Sequence, residues 1–368
     1  MKKKNILITA PSLDTKHNVS GISAMVRIII EHNHVPVYHH FLFGRKDNDW
    51  GDIVSILLTI RQLLIFPFIL KKYKINLVHQ NFPFDPKGVL RESVAGLWCK
   101  LLGIPVLLHV HGGKFLTGKK PYGIYRFLAK KLFHKSHVVL VLSELERDIM
   151  QKEYQRTDVC VLENCVDSSQ FIQADKLMPA EIPVFIFLGR IHESKGLHEI
   201  LDVFKRLNGE HVPFRFVLCG DGSLRASIVP KFESLLGKQF DYKGVVSGME
   251  KINAIRSADF FLLPSWFEGL PVTMLETMAA GVVPVITDVG SIGQLVHHQE
   301  NGIIIEKQNV TDMHQKIKDI LAHPERYAAL SKNAKESVLR DYDVSQYVHR
   351  LNEIYGQVLS AQAKAKCE

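Results

Sequence analysis

Cysteine is scarce and unpatterned in this chain. Cys99, Cys160, Cys165, Cys219 and Cys367 make an odd set with no C-x-x-C pair and no zinc-ligand spacing, which excludes a disulfide framework and a structural zinc site and predicts reduced thiols in a cytosolic protein. No signal-peptide core forms either, because Pro11 and Asp14 interrupt the apolar start MKKKNILITAPS, which therefore reads as a first buried strand. Residues 53–70 approach membrane-spanning length, but Arg61 and Gln62 sit at their middle and Pro67 near their end, so the stretch predicts a buried or interfacial helix rather than a transmembrane one. Solenoid repeats and low-complexity tracts are absent. A complete dinucleotide fingerprint is missing too: Gly220 and Gly222 begin a G-x-G-x-x-G pattern, but Arg225 stands at its third glycine.

What the chain does have is alternation. Short apolar runs (NILITA, INLVHQ, PVLLHVHG, HVVLVLS, DVCVLEN, then PVFIFLGR, FRFVLCGDG, ADFFLLPS, VVPVITD) are each followed by a longer amphipathic stretch. This is the pattern of βαβ units in parallel sheets, an α/β class. It restarts after a polar, proline-containing break at residues 168–183, and 368 residues suit two domains. Two Rossmann-like, doubly wound domains facing across a cleft are expected: residues 1–170 with a C-terminal helix near 343–368, and residues 171–342.

Charge is placed unevenly. Residues 1–175 hold 24 Lys/Arg against 15 Asp/Glu, and the remainder 22 against 23. Within the basic half, residues 114–137 (KFLTGKKPYGIYRFLAKKLFHKSH) combine seven Lys/Arg with aromatics and no acid. Such a segment suits an anionic lipid surface or a nucleic acid or, equally, an ordinary solvated helix face.

Candidate chemistry collects after the strands of the second half. In FLGRIHESKGLHEIL, Gly189, Arg190 and Lys195 precede a helix beginning near Gly196, and two cations beside a helix N-terminus suit a diphosphate. In SWFEGLPVTMLETMAAG, Pro271 fits a first helical position and Gly281 a stop. Glu268 precedes that helix, at the end of a strand where open α/β sheets bind ligands. Glu276 lies inside it, and carboxylates beside a helix N-terminus also serve simply as caps.

The order Gly-Arg-x4-Lys-Gly, Gly-x-Gly, Glu-Gly-x-Pro-x4-Glu, AAGVVPVITDVGS and NGIII resembles the retaining glycosyltransferases of family 4, with the GT-B fold, over essentially the whole chain. The resemblance implies a C-terminal helix returning to the first domain and a nucleotide-sugar donor, UDP-linked, passed to a glycan or lipid-linked acceptor. By the same resemblance Glu276 holds the ribose, Glu268 lies beside the donor sugar, and Arg190 and Lys195 stabilise the leaving diphosphate without a metal. His111 contacts the sugar near the reacting carbon, and Gly21 belongs to a glycine loop approaching the diphosphate. Gly189, Gly220 and Gly222 line the nucleotide, and Asn164 either points toward the donor or simply forms a turn, one in which Cys165 replaces the family's glycine and a positive φ is expected to be strained.

From the residues themselves, His109 and His111 are one residue apart and are expected on opposite faces of a strand, a poor metal pair. His109 reads as structural. Asp47 to Asp49 spell Asp-x-Asp without a preceding strand, so no metal site is assigned there. A nucleic-acid partner is not expected. Two other functions share the pattern: a sugar-nucleotide epimerase on the same fold, and a nicotinamide-dependent oxidoreductase, which the broken glycine fingerprint disfavours. The expected setting is cytoplasmic, at the inner face of the plasma membrane.

Overall fold

The structure, a computed structural model, describes residues 3–365 apart from 15–17, 19, 45–51, 113 and 118–119. Asp47 to Asp49, Gly113 and Cys367 lie outside the described residues. The chain divides into two compact units, residues 1–164 with 344–368, and residues 165–343.

The first unit alternates strand and helix: β1 (Asn5–Ala10), α1 (Gly21–His32), β2 (Val37–Leu42), α2 (Asp52–Lys72), β3 (Leu77–Phe82), α3 (Pro86–Leu101), β4 (Val106–Val110), α4 (Lys114–Thr117), α5 (Gly123–Lys135), β5 (Val138–Val141), α6 (Glu144–Tyr154) and β6 (Val159–Val161). The sheet is parallel, in the order β2-β1-β3-β4-β5-β6. Its middle strands are buried on both faces, which is why they read as continuous apolar runs. Local chemistry starts the helices. Ser20 caps α1, Asp85 caps α3 ahead of Pro86, and Ser143 caps α6, each side chain accepting an N–H that the helix leaves unpaired.

The second unit runs β7 (Val184–Leu188), α7 (Leu197–Gly209), β8 (Arg215–Cys219), α8 (Arg225–Leu236), β9 (Phe240–Gly244), α9 (Gly248–Ser257), β10 (Phe260–Leu263), α10 (Val272–Ala279), β11 (Val283–Thr287), α11 (Ile292–Leu295), β12 (Ile303–Ile305), α12 (Val310–Ala322) and α13 (Tyr327–Asp341). Its parallel sheet has the order β12-β11-β10-β7-β8-β9. Leu197, Ile200, Val203, Phe204 and Leu207 give α7 one apolar stripe, and Phe204 packs on Phe185, Phe214 and Phe216 in the core. Helix α10 starts at Val272, with Pro271 as its N-cap rather than its first residue. Gly281, at φ +75, ends it in the left-handed conformation that glycine adopts most readily.

The last helix, α14 (Val344–Ala365), belongs to the first unit. It is locked there by polar contacts: Asn352 exchanges amide hydrogen bonds with Asn33 at 2.9 and 3.1 Å, and the Tyr355 hydroxyl lies 2.7 Å from Nδ1 of His79.

Candidate functional site

In the second sheet β7, β8 and β9 build outward on one side and β10, β11 and β12 on the other. The order reverses between β7 and β10, and open α/β sheets bind ligands beyond the carboxyl ends of strands at such a switch point. The loops after these two strands carry Arg190 and Lys195 on one side and Glu268 on the other. A backbone and a side-chain hydrogen bond lock them together: Trp266 N–H donates to the Ser194 carbonyl at 2.8 Å, and the Trp266 indole N–H donates to the Glu199 carboxylate at 2.9 Å.

Lys195 and Glu268 meet directly. Nζ of Lys195 lies 2.5 Å from Oε1 of Glu268, and the Ser265 hydroxyl donates to the same oxygen at 2.6 Å. Both side chains are mostly covered, so the pair sits where charge is poorly screened. An ammonium has three N–H donors and this contact uses one. Arg190, one residue beyond Gly189, is exposed, its guanidinium available to an anion. The loop after β11 closes over the other side: the Thr287 hydroxyl donates to the Ser265 carbonyl at 2.5 Å, and Ser291 N–H to the Gly269 carbonyl at 3.3 Å. A Cβ at Gly290 would overlap the Glu268 carbonyl oxygen.

Glu276 sits inside α10, 7% exposed. Its Oε1 accepts from Lys251 of α9 at 2.6 Å, while Oε2 is buried with no hydrogen-bond partner. Lys251 compensates the buried charge, and the orphaned oxygen keeps an unmet acceptor capacity. Neither Lys251 nor Ser265 was among the residues picked from the sequence. Lys251 lies 25 residues from its partner, with no local spacing to reveal it. Ser265, three residues before Glu268, stood inside the quoted motif.

Gly220 and Gly222 have φ of +138 and +158, and a Cβ on either would overlap the carbonyl oxygens of Gly189 and Ile191. Their absent side chains thus let the β8 loop lie flat on the β7 loop that carries Arg190. A Cβ at Gly189 would meet only ordinary contacts with Phe187.

In the first unit His111 follows β4. Its Nε2 lies 2.7 Å from Oδ1 of Asn81 on β3, and the Asn81 amide nitrogen donates to the Thr9 carbonyl of β1 at 2.9 Å. That orientation leaves the amide oxygen for His111, so the neutral ring carries its proton on Nε2 and offers Nδ1 as an acceptor. The opposite-face expectation for the two histidines fails, since the rings of His109 and His111 are 4.1 Å apart. The chain leaves the strand at Val110 and turns at Gly112, φ +65, so strand alternation no longer governs His111. His109 is fully buried, with Nδ1 3.3 Å from Nε2 of His79. Burial lowers all three histidines, His79 and His111 to about 3 and His109 well below its ordinary value, with His111 adding to the shift at the other two. The cluster is neutral at physiological pH. No group of three or more His, Cys, Asp or Glu among the described residues has metal-binding placement.

Three further residues complete the picture. Gly21 opens α1, and a side chain there would meet nothing within 4 Å. Asn164 is buried at the end of the first unit. Cys165 does not have positive φ, so the strain expected where it replaces glycine does not arise. Glu146, missed in the sequence, accepts from Leu142 N–H at 2.8 Å, and burial raises its carboxyl to about 7. Its signal was present as Ser143-x-x-Glu146, a capping-box spacing.

Two parallel Rossmann-like units, the second with paired cations and carboxylates at its switch point, define a GT-B transferase architecture. Comparison with known proteins narrows this. The model described as Glycosyltransferase Family 4 matches residues 18–170, and that described as Glycosyl transferases group 1 matches residues 168–337. The chain belongs to the family 4 glycosyltransferases. An uncharacterized glycosyltransferase of Methanocaldococcus jannaschii is 25% identical over 276 residues, 73% of this chain and 72% of that protein. The UDP-Gal:alpha-D-GlcNAc-diphosphoundecaprenol alpha-1,3-galactosyltransferase of Escherichia coli is 22% identical over 327 residues, 82% of this chain and 80% of that one. Among solved structures, sucrose-phosphate synthase of Thermosynechococcus elongatus superposes with a TM-score of 0.79 at 17% identity, covering 98% of this chain and 100% of that one. HepE of Anabaena, in complex with UDP-glucose, superposes with a TM-score of 0.75 at 16% identity, covering 96% and 99%.

Proposed function

We propose that this glycosyltransferase moves a sugar, with retention of anomeric configuration, from a UDP-linked donor to a glycan or lipid-linked acceptor in surface-polysaccharide assembly. The observation that carries the reading is the unpartnered buried oxygen of Glu276, held in place through Lys251. A carboxylate so placed accepts the ribose hydroxyls of a nucleotide. The names of two similar proteins support the donor and acceptor classes: the Escherichia coli relative is named for UDP-Gal and a diphosphoundecaprenol-linked sugar, and HepE was solved with UDP-glucose.

In this reading Glu276 holds the ribose while Glu268, gripped by Lys195 and Ser265, faces the transferred sugar. Transfer breaks the bond from the anomeric carbon to the diphosphate and forms one from the same face to the acceptor hydroxyl, whose proton passes to the departing phosphate. The negative charge left on the diphosphate is stabilised by Arg190, by the remaining donors of Lys195 and by the N-terminus of α7, and the reaction is assigned no metal. His111 serves the sugar during transfer. Gly21 and Asn164 serve donor binding, and Gly189, Gly220 and Gly222 shape the loops that hold it.

A panel of nucleotide-sugars tests this. A UDP-sugar should release UDP only when an acceptor is supplied, with NMR finding the donor's anomeric configuration in the product. Exclusive use of another nucleotide, or an inverted product, overturns the proposal. Conversion of donor to its epimer without acceptor assigns the chain to epimerisation instead.

A further inference from the structure

Helix α2 has an unusual exposure for its composition. The stretch Val54–Lys72 has a mean hydropathy of 1.8 and is long and apolar enough to cross a membrane, yet only 11% of it is buried. Helices apolar all round are normally buried all round. Here Leu57, Leu64 and Phe68 are 60%, 62% and 72% exposed. The helix is nevertheless anchored. Phe66 and Leu70 are buried, Phe66 stacks on Phe43 with centroids 5.7 Å apart, and the Gln62 amide exchanges hydrogen bonds with the Gly44 backbone. Rotating α2 out to span a bilayer would uncover that core, so it can only lie along a surface.

The apolar surface continues onto neighbouring helices. Leu90, Val94, Leu97 and Leu101 of α3 are exposed at spacings of four, three and four, which is one stripe of a helix. Ile124 and Phe127 of α5 are also exposed. α2 packs beside α3, and α3 beside α5. Right-handed crossovers in one direction along the sheet place all three on the same face.

The exposed charges of residues 53–74, α3 and α5 have one sign; the acids of this side, Glu144, Asp148 and Glu153, lie on α6, beyond α5. No acid occurs between Ile53 and Lys74 or within α5. The single carboxylate of α3, Glu92, is buried against Arg91. Arg61, Lys71, Lys72, Lys100, Lys130 and Lys131 are exposed among the apolar side chains, and their stems can lie on apolar surface while their heads reach anions.

We propose that this face docks the protein on an anionic lipid bilayer, with α2 lying in the interface plane and its outer side chains sunk to the headgroup boundary. Apolar side chains with an all-cationic complement match a surface that is apolar below and anionic above. A second copy of the chain is a poor match, since an isologous contact sets the same patch against itself and brings cations onto cations. Of residues 114–137 the proposal keeps only the outer side of α5, Ile124, Phe127, Lys130 and Lys131: Phe115 and Phe133 are buried, and Lys120 is ion-paired with Glu153 at 2.5 Å. It does not rest on the donor or acceptor assignments.

Co-sedimentation of the full chain with vesicles of phosphatidylcholine alone or mixed with phosphatidylglycerol tests it, with folding checked by circular dichroism and nucleotide affinity. Binding should require the anionic lipid and weaken with salt. Leu57→Glu/Leu64→Glu/Phe68→Glu should lower binding at least tenfold, and the milder Phe68→Ser should lower it in part while remaining folded. Lys71→Glu/Lys72→Glu/Lys100→Glu should lower it on the order of a hundredfold and weaken its salt dependence. Leu177→Glu/Met178→Glu, at exposed apolar positions of the second unit, should bind as the parent does. Absence of parent binding to anionic vesicles at low salt overturns the proposal. So does a dimer, seen by light scattering, that the α2 triple variant makes monomeric.

Discussion

The two units use the same parallel α/β plan and treat polar groups in opposite ways. At the strand ends of the second unit, charges are paired and partly covered: Lys195 with Glu268 and Lys251 with Glu276. At those of the first unit the polar groups are neutral, with His79, His109 and His111 all depressed by burial. Their outer surfaces differ as well. Helices of the second unit carry ion pairs such as Lys316 with Asp312 and Lys318 with Glu210, while α2, α3 and α5 present apolar and cationic side chains. The lesson is that one fold supports a cluster of paired charges and an uncharged histidine cluster, and the side chains placed on the sheet and its loops decide which.

Breaking the charged site should have the largest effect. Lys195→Ala or Arg190→Ala should lower kcat by roughly 10²–10³, the usual loss when one preorganised charge is removed from a leaving group. Lys195→Ala/Glu268→Ala should lose less than the sum of the single variants, because the two touch. Steady-state kinetics measure both, and full activity in both single variants would contradict the assignment.

The two carboxylates should separate next. Glu276→Ala should weaken UDP binding in calorimetry, and Lys251→Met should do the same, each by about 1–3 kcal/mol, since each leaves a buried group without its partner. Glu268→Ala should leave UDP affinity nearly intact and lower turnover, as its partner is the transferred sugar. Equal loss of UDP affinity in all three would erase the distinction.

The effect that is smallest at neutral pH concerns the histidine cluster and has a defined sign. His79 and His111 are near 3 in the folded chain and near 6.5 when unfolded. Below about pH 6.5 the unfolded chain therefore binds protons that the folded one refuses. Stability of the first unit should fall as pH drops toward 3, by up to about 1.4 kcal/mol per pH unit per histidine. Glu146 opposes this. Its folded value near 7 lies above the unfolded one, so between roughly pH 4.5 and 7 its contribution improves with acid. Urea unfolding followed by hydrogen exchange should find a flatter acid loss in His111→Gln and a steeper one in Glu146→Gln. Unchanged profiles in both would mean that these groups do not titrate as buried ones.

Much of this was legible in sequence because it is local. The nine apolar runs became nine of the twelve strands among the described residues, since a strand buried on both faces must be apolar along its length; β2 and β9, only partly buried, gave no such run. Glu268 and Lys195 were visible because a strand end and a following helix mark where a ligand-facing loop falls. Their direct contact was not, being a product of two strands that are neighbours only in the sheet. Lys251 was invisible for the same reason. The histidine pair misled because alternation holds only within a strand, and His111 lies beyond its end. Residues 114–137 left the choice of side open because aromatic content does not say which side of a helix faces the core: Phe133 faces inward and Phe127 outward.

By itself the sequence determined the α/β class, the second-unit residues at the switch point and the basic excess of the first half, all properties of residue type and near-neighbour spacing. Tertiary structure alone decided which carboxylate oxygen stays unpartnered, which lysine holds it, that three histidines gather and lose their charge, and that the apolar α2 faces outward. Each of these depends on which distant elements become neighbours and how much water they exclude, and neither quantity is written in local spacing.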